Sequence, residues 1–112
     1  MSGPPLAGRK CVPCEGGATP LPPSAAEALL QDVKGWELLD GKAIRKTVKC
    51  KSFLDAVGLI QRIAPVAEAE DHHPDLHLTN YKKLTIELST HAIGGLSEND
   101  FILAAKIDHL LP

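Results

Sequence analysis

The chain has 112 residues, 44% of them hydrophobic and 23% charged, with 12 basic and 14 acidic side chains and a formal net charge of -2. Such a length and balance describe one globular domain with a modest core, small enough that association with further copies would add useful burial. No basic tract is present to grip a phosphate backbone, so direct nucleic-acid binding is not expected, and no apolar run approaches the roughly 20 residues that cross a membrane.

The first 23 residues hold six of the nine prolines (Pro4, Pro5, Pro13, Pro20, Pro22 and Pro23) together with four glycines. Proline removes backbone donors and glycine raises the entropic cost of order, so 1–23 is read as a flexible arm and 24–112 as the domain. The arm lacks the apolar stretch of a secretory signal and the Arg-rich character of a transit peptide. Three cysteines (Cys11, Cys14 and Cys50) make no disulfide framework. Both features predict a cytoplasmic protein, or an organellar one if a targeting segment has been removed. The Cys11-x-x-Cys14 pair could be a redox couple or half a zinc site, but without a second pair it is read as part of an inert arm.

Ser24 and Glu27 have capping-box spacing, which predicts a short helix from Ser24 carrying Leu29, Leu30 and Val33 and ending at Gly35. Strands follow over 36–39 and 43–50, joined by an Asp40-Gly41 turn. From Ser52 the period changes: Phe53, Val57, Ile60, Ala64 and Ala67 mark one face of a helix to about residue 70, with a kink or break expected at Pro65. Period two returns over 76–90, where Leu84, Ile86 and Leu88 oppose Lys83, Thr85, Glu87 and Ser89. Asn80-Tyr81-Lys82 divides this stretch into two strands, and Tyr81 itself is read as a packing residue. Ser97 and Asp100 start a last helix that is apolar on more than one stripe, from Phe101 and Ile102 to Leu110 and Leu111, and the surplus predicts a second partner surface, most simply another subunit. The order α-β-β-α-β-β-α defines an α+β fold: a four-stranded antiparallel sheet with three helices on one face.

Four of the five histidines, His72, His73, His77 and His91, lie within 72–91. The His72-His73 pair follows Glu68, Glu70 and Asp71 at a helix end, where the dipole and the carboxylates favour an imidazolium. Taken singly, each residue has a plainer role: a solvated histidine, Glu68 as an exposed helix charge, Asp100 as a capping acid. A zinc site of histidines with Asp100 is the competing chemistry, yet no H-E-x-x-H helix or paired CxxC motif supports it, and Pro74 interrupts any helix joining His73 to His77.

Together, Glu68, His72-His73-Pro74, Tyr81, His91 and Asp100, in that order and spacing, resemble the signature of the pterin-4a-carbinolamine dehydratases. Gly35-Trp36, Leu88-Ser89-Thr90-His91 and Gly95-Leu96-Ser97 match as well, so the resemblance spans about 24–110. It implies a hydro-lyase that dehydrates 4a-hydroxytetrahydrobiopterin to quinonoid dihydropterin, downstream of an aromatic amino acid hydroxylase and without metal or other cofactor. It implies a homodimer or homotetramer. It also implies the four-stranded sheet already read from the pattern. His72, His73 and His91 would line the pterin pocket, with His73 as principal acid and the other two sharing base and positioning duties. Glu68 and Asp100 would orient the imidazoles, the backbone near Ser89 and Thr90 would meet the pterin edge, and Trp36 would help wall the pocket. Animal members also act as dimerisation cofactors of a homeodomain transcription factor, which is the alternative function the resemblance carries.

The chemistry suits imidazole independently of that likeness. Loss of water from a carbinolamine needs a proton delivered to the departing hydroxyl and one withdrawn from the neighbouring nitrogen. Groups titrating near neutrality do both, each worth roughly 10² to 10⁴-fold.

Overall fold

The computed structural model describes residues 6–8, 11 and 20–111, in the order α1 (Pro23–Leu30), β1 (Glu37–Leu39), β2 (Ala43–Lys49), α2 (Phe53–Glu70), β3 (Asp75–Thr79), β4 (Lys83–Leu88) and α3 (Glu98–Asp108). The strands form one antiparallel sheet of order β1-β2-β4-β3, so the expected α+β fold with three helices and four strands is the one observed. Register aligns Ile44 with Leu88, and Leu84 with both Val48 and Leu78. One sheet face is thus apolar and joins the helices in a single core. The opposite face carries Arg45, Thr47, Lys83, Thr85 and His77.

Both hairpins turn through residues with positive φ: Asp40 (51°) with Gly41 (68°), and Asn80 (48°) with Tyr81 (53°). Tyr81 is therefore not the packing residue expected; it stands in the turn, 60% exposed, in a conformation that disfavours a bulky side chain. Tyr81→Gly is expected to raise the unfolding free energy by up to about 1 kcal/mol, because a left-handed residue without Cβ avoids that penalty. Urea denaturation checks it, and a lower midpoint would show that the Lys82 ammonium over the Tyr81 ring, 5.4 Å from its centroid, outweighs the strain.

Two helix boundaries differ in an instructive way. α1 begins at Pro23 with Pro22 as N-cap and no side-chain cap, so proline's fixed φ starts the helix rather than a Ser24–Glu27 box. α2 runs unbroken through Pro65 from its N-cap Ser52, whose hydroxyl accepts from Asp55 N–H. Pro65 is exposed, so the carbonyl its ring leaves unbonded can be served by solvent, and the helix continues.

α3 is enclosed on almost every side: Phe101, Leu103, Ala104 and Ile107 have no exposed surface. Its second apolar stripe is covered by this chain itself, through α1 with Ala26 and through the short 3-10 turn Leu6–Gly8, whose Leu6 is 5% exposed. Much of the apolar surplus on this helix is thus covered within the chain, while Leu110 and Leu111 beyond it stay half-buried. Cys11 lies beside the same helix, its Sγ 3.6 Å from the Asn99 carbonyl, whereas Cys14 is outside the described residues.

Burial first, and the nearby Glu70 charge second, push the Cys11 thiol up from 9.0 to about 12. A thiol held neutral in the fold but ionising at its ordinary value when unfolded contributes stability that is present below pH 9.0 and is lost as pH rises toward about 12. Cys11→Ala is therefore expected to flatten the decline of unfolding free energy across that alkaline window. An unchanged slope would contradict the burial of the thiol.

Candidate active site

The last turn of α2 sets the site. Asp71 adopts the left-handed conformation (φ 50°), while Asp71 N–H bonds the Glu68 carbonyl and His72 N–H bonds the Ala67 carbonyl. This is a Schellman closure with aspartate where glycine is usual. The chain reverses sharply, sending His72 inward and His73 back over α2.

The two imidazoles consequently take different partners. His72 Nε2 lies 2.6 Å from Asp100 Oδ1, with 12% of the His72 side chain and none of the Asp100 side chain exposed. His73 Nε2 lies 2.6 Å from Glu68 Oε1, but here the side chains are 54% and 76% exposed. The first pair is desolvated and rigidly placed; the second is a solvent-screened contact of modest strength. Because a carboxylate only accepts, each contact places a proton on Nε2 and leaves Nδ1 as the nitrogen free to work on a bound molecule.

Asp100 is the hub. It is the third residue of α3 and reaches back to accept from Ser97 N–H at 3.0 Å, while Oδ2 also accepts from the Thr90 hydroxyl at 2.9 Å. Thr90 has one hydroxyl proton and gives it to Asp100, so the Ser97 hydroxyl, 2.8 Å away, must donate to Thr90. A relay Ser97–Thr90–Asp100–His72 results. The helix dipole at the start of α3 favours the negative charge at its centre.

His91 opens the 3-10 turn His91–Ile93 one residue beyond Thr90; its ring is exposed and has no hydrogen-bond partner among the described residues. Lys42, Ser89, Thr90, His91 and Gly95 border a cleft of ≈ 270 Å³. Thr90 thus belongs both to this cleft and to the buried relay. Its amide donates to the Gly95 carbonyl at 2.8 Å.

Trp36 is not brought to this group. Its indole N–H donates to Asp108 Oδ1 at the far end of α3, where Lys46 also bonds Asp108 at 2.9 Å. His77 lies on the open sheet face, 3.4 Å from Glu87. Among the described residues no three His, Cys, Asp or Glu side chains converge as metal ligands would. The Thr90 and Ser97 hydroxyls went unread in the sequence as parts of the site; Ser97 was visible only as a helix cap and Thr90 only as backbone.

The α+β domain thus carries two adjacent histidines, each anchored by its own carboxylate at one helix end. Residues 19–110 match the family described as "Pterin 4 alpha carbinolamine dehydratase". A protein of Nitrosomonas eutropha (strain DSM 101675 / C91 / Nm57) named "Putative pterin-4-alpha-carbinolamine dehydratase" is 49% identical over 95% of this chain and 93% of its own. Pterin-4-alpha-carbinolamine dehydratase 2, mitochondrial, of Arabidopsis thaliana is 47% identical over 94% of this chain and 58% of its own. The crystal structure of a transcriptional coactivator/pterin dehydratase from Brucella melitensis superposes with a TM-score of 0.77 at 32% identity, covering 84% of this chain and 100% of that one. The chain belongs to the pterin-4a-carbinolamine dehydratase family, a family of hydro-lyases.

Proposed function

We propose that the enzyme dehydrates 4a-hydroxytetrahydrobiopterin to quinonoid dihydropterin and water by histidine acid–base catalysis. The observation that carries this reading is the pair of adjacent imidazoles, His72 and His73, each held by its own carboxylate at 2.6 Å. Each imidazole keeps one ring nitrogen outside its carboxylate pair, so one can donate a proton and the other accept one.

In this reaction the N5 lone pair expels the 4a-hydroxyl. His73, protonated on both ring nitrogens, donates from Nδ1 to the departing oxygen, the C4a–O bond breaks, and water leaves. The N5 proton passes to His72 or His91, so no net proton is consumed. Asp100 holds His72 in one orientation from inside the fold and Glu68 holds His73 from the solvent side. The Ser89 backbone and the cleft beside His91 receive the flat pterin edge. No electron changes hands, and the proton carriers are all side chains of this chain.

The reading gives the protein a place in pterin recycling after an aromatic amino acid hydroxylase, as a homodimer or homotetramer in the cytoplasm. A role as a transcription-factor coactivator is the second reading; it is favoured by the description of the Brucella melitensis relative, which joins the two activities.

Titration with a 7,8-dihydropterin, which binds but has no 4a-hydroxyl to lose, tests the site directly. The expected result is that imidazole resonances of His72, His73 and His91 shift together and saturate at one stoichiometry, while that of His77 on the opposite sheet face stays put. Saturable binding with all three resonances unmoved would contradict the assignment.

A further inference from the structure

Cys11, Pro20 and Leu21, on the N-terminal side of α1, make contacts on both sides of the His72–Asp100 pair. At one contact, the Cys11 amide donates to Glu70 Oε1 at 2.7 Å, and the Cys11 thiol reaches the Asn99 carbonyl. Glu70 is the last residue of α2, two before His72, and Asn99 immediately precedes Asp100. At the other contact, Leu21 N–H donates to the Leu96 carbonyl at 2.8 Å. Pro20 lies so close to Gly95 that a Cβ built there would be 2.9 Å from Pro20 Cβ. Gly95 and Leu96 lead straight into Ser97, whose amide bonds Asp100.

A carboxylate at the C-terminal end of a helix opposes the helix dipole, so Glu70 needs compensation. It has the Cys11 amide at 2.7 Å and Lys106 of α3 at 3.6 Å. Cys11 ties the end of α2 to the start of α3 through Glu70 and Asn99, and Lys106 ties it to the last turn of α3, both by routes separate from the His72–Asp100 bond. A hydrogen-bonded pair in an active site works only while its two supports keep their spacing, and a misplacement near 1 Å is enough to spoil it.

We infer that Cys11, Pro20 and Leu21 position the catalytic imidazole: as two separate anchors, acting through Glu70 and the Gly95–Leu96 loop, they hold the Schellman end of α2 against Asp100. These are positioning residues that touch no substrate. The inference rests on the dehydratase reading for the part played by His72, and it gives Cys11 a structural task in place of redox or metal chemistry, consistent with a thiol that burial holds neutral.

The test uses the full chain in two independent ways. Glu70→Ala removes the acceptor for Cys11 N–H, and Glu70→Gln keeps an acceptor oxygen. Leu21→Pro removes the donor to the Leu96 carbonyl, and Leu21→Ala keeps that backbone donor. Each variant is read by the ¹⁵N shift of the His72 Nε2, by kcat and KM separately, and by urea denaturation. The expected result for Glu70→Ala and Leu21→Pro is a His72 Nε2 resonance moved away from its hydrogen-bonded position, with kcat lowered about tenfold and KM within about twofold. Glu70→Gln and Leu21→Ala should keep both readouts near the parent values. If Glu70→Ala fails to fold, the Leu21 series decides alone. An unmoved His72 resonance in folded variants overturns the positioning role and leaves the dehydratase reading intact. A moved resonance with unchanged kcat overturns instead the assignment of His72 to the reaction.

Discussion

Replacement of His73 by alanine should lower the dehydration rate by roughly 10² to 10⁴-fold while leaving the unfolding free energy nearly unchanged. The two halves of that expectation come from different facts. The His73 side chain is 54% exposed and its Glu68 partner 76%, so the fold loses only a screened surface contact, typically less than about 1 kcal/mol. The reaction, by contrast, loses the group proposed to protonate the departing hydroxyl. Initial rates on synthetic 4a-carbinolamine, paired with urea denaturation of the same sample, check both halves. Near-normal turnover would remove His73 from the mechanism, and a large loss of stability would mean that its pairing with Glu68 matters to the fold.

Asp100→Asn should show the opposite balance, with fold and activity falling together. Asp100 is fully buried and accepts from Ser97 N–H, the Thr90 hydroxyl and His72 Nε2. An amide has the same shape but replaces one acceptor oxygen by a donor, which must then face either the imidazole N–H or the two donors at Oδ2. A buried donor left without an acceptor costs about 1–3 kcal/mol. The released imidazole loses its fixed orientation, and a turnover loss of roughly 10²-fold follows from misplacement alone. Chemical denaturation and steady-state rates measure the pair of effects. Full stability in the variant would show that the Ser97–Thr90–Asp100 relay does not support α3, and full activity would show that His72 needs no anchor.

Much of the fold was legible because local signals and burial agree. Ser52 caps a helix whose apolar residues recur at three and four, and the structure starts α2 at Phe53 and ends it at Glu70. Asp40-Gly41 and Asn80-Tyr81 mark hairpin turns in both readings. Where sequence reasoning erred, a tertiary fact prevailed over a local one. α3 reads as over-apolar for one sheet, and the pattern alone does not say that Leu6, more than ninety residues away, covers the extra stripe. Pro65 reads as a kink or a break; the helix runs on through it, because at an exposed position the lost hydrogen bond is easily tolerated.

The site was legible as a set but not as pairs. Glu68 and His72 are four apart and would face each other on a continuous helix. The left-handed Asp71 ends the helix between them, so Glu68 meets His73 while His72 crosses to Asp100. Trp36 follows a glycine in the motif, but its indole nitrogen is engaged by Asp108. Thr90 is a short polar residue after an alternating strand, with nothing local to reveal that its hydroxyl faces a carboxylate ten positions on.

This chain is proposed to dehydrate a pterin carbinolamine with histidines alone. The most direct measurement is the ultraviolet-monitored dehydration of synthetic 4a-hydroxytetrahydrobiopterin by the purified protein in excess chelator. The account predicts strong acceleration over the spontaneous rate, undiminished by the chelator. A rate equal to the spontaneous one, or an acceleration that the chelator abolishes and added metal restores, would contradict it.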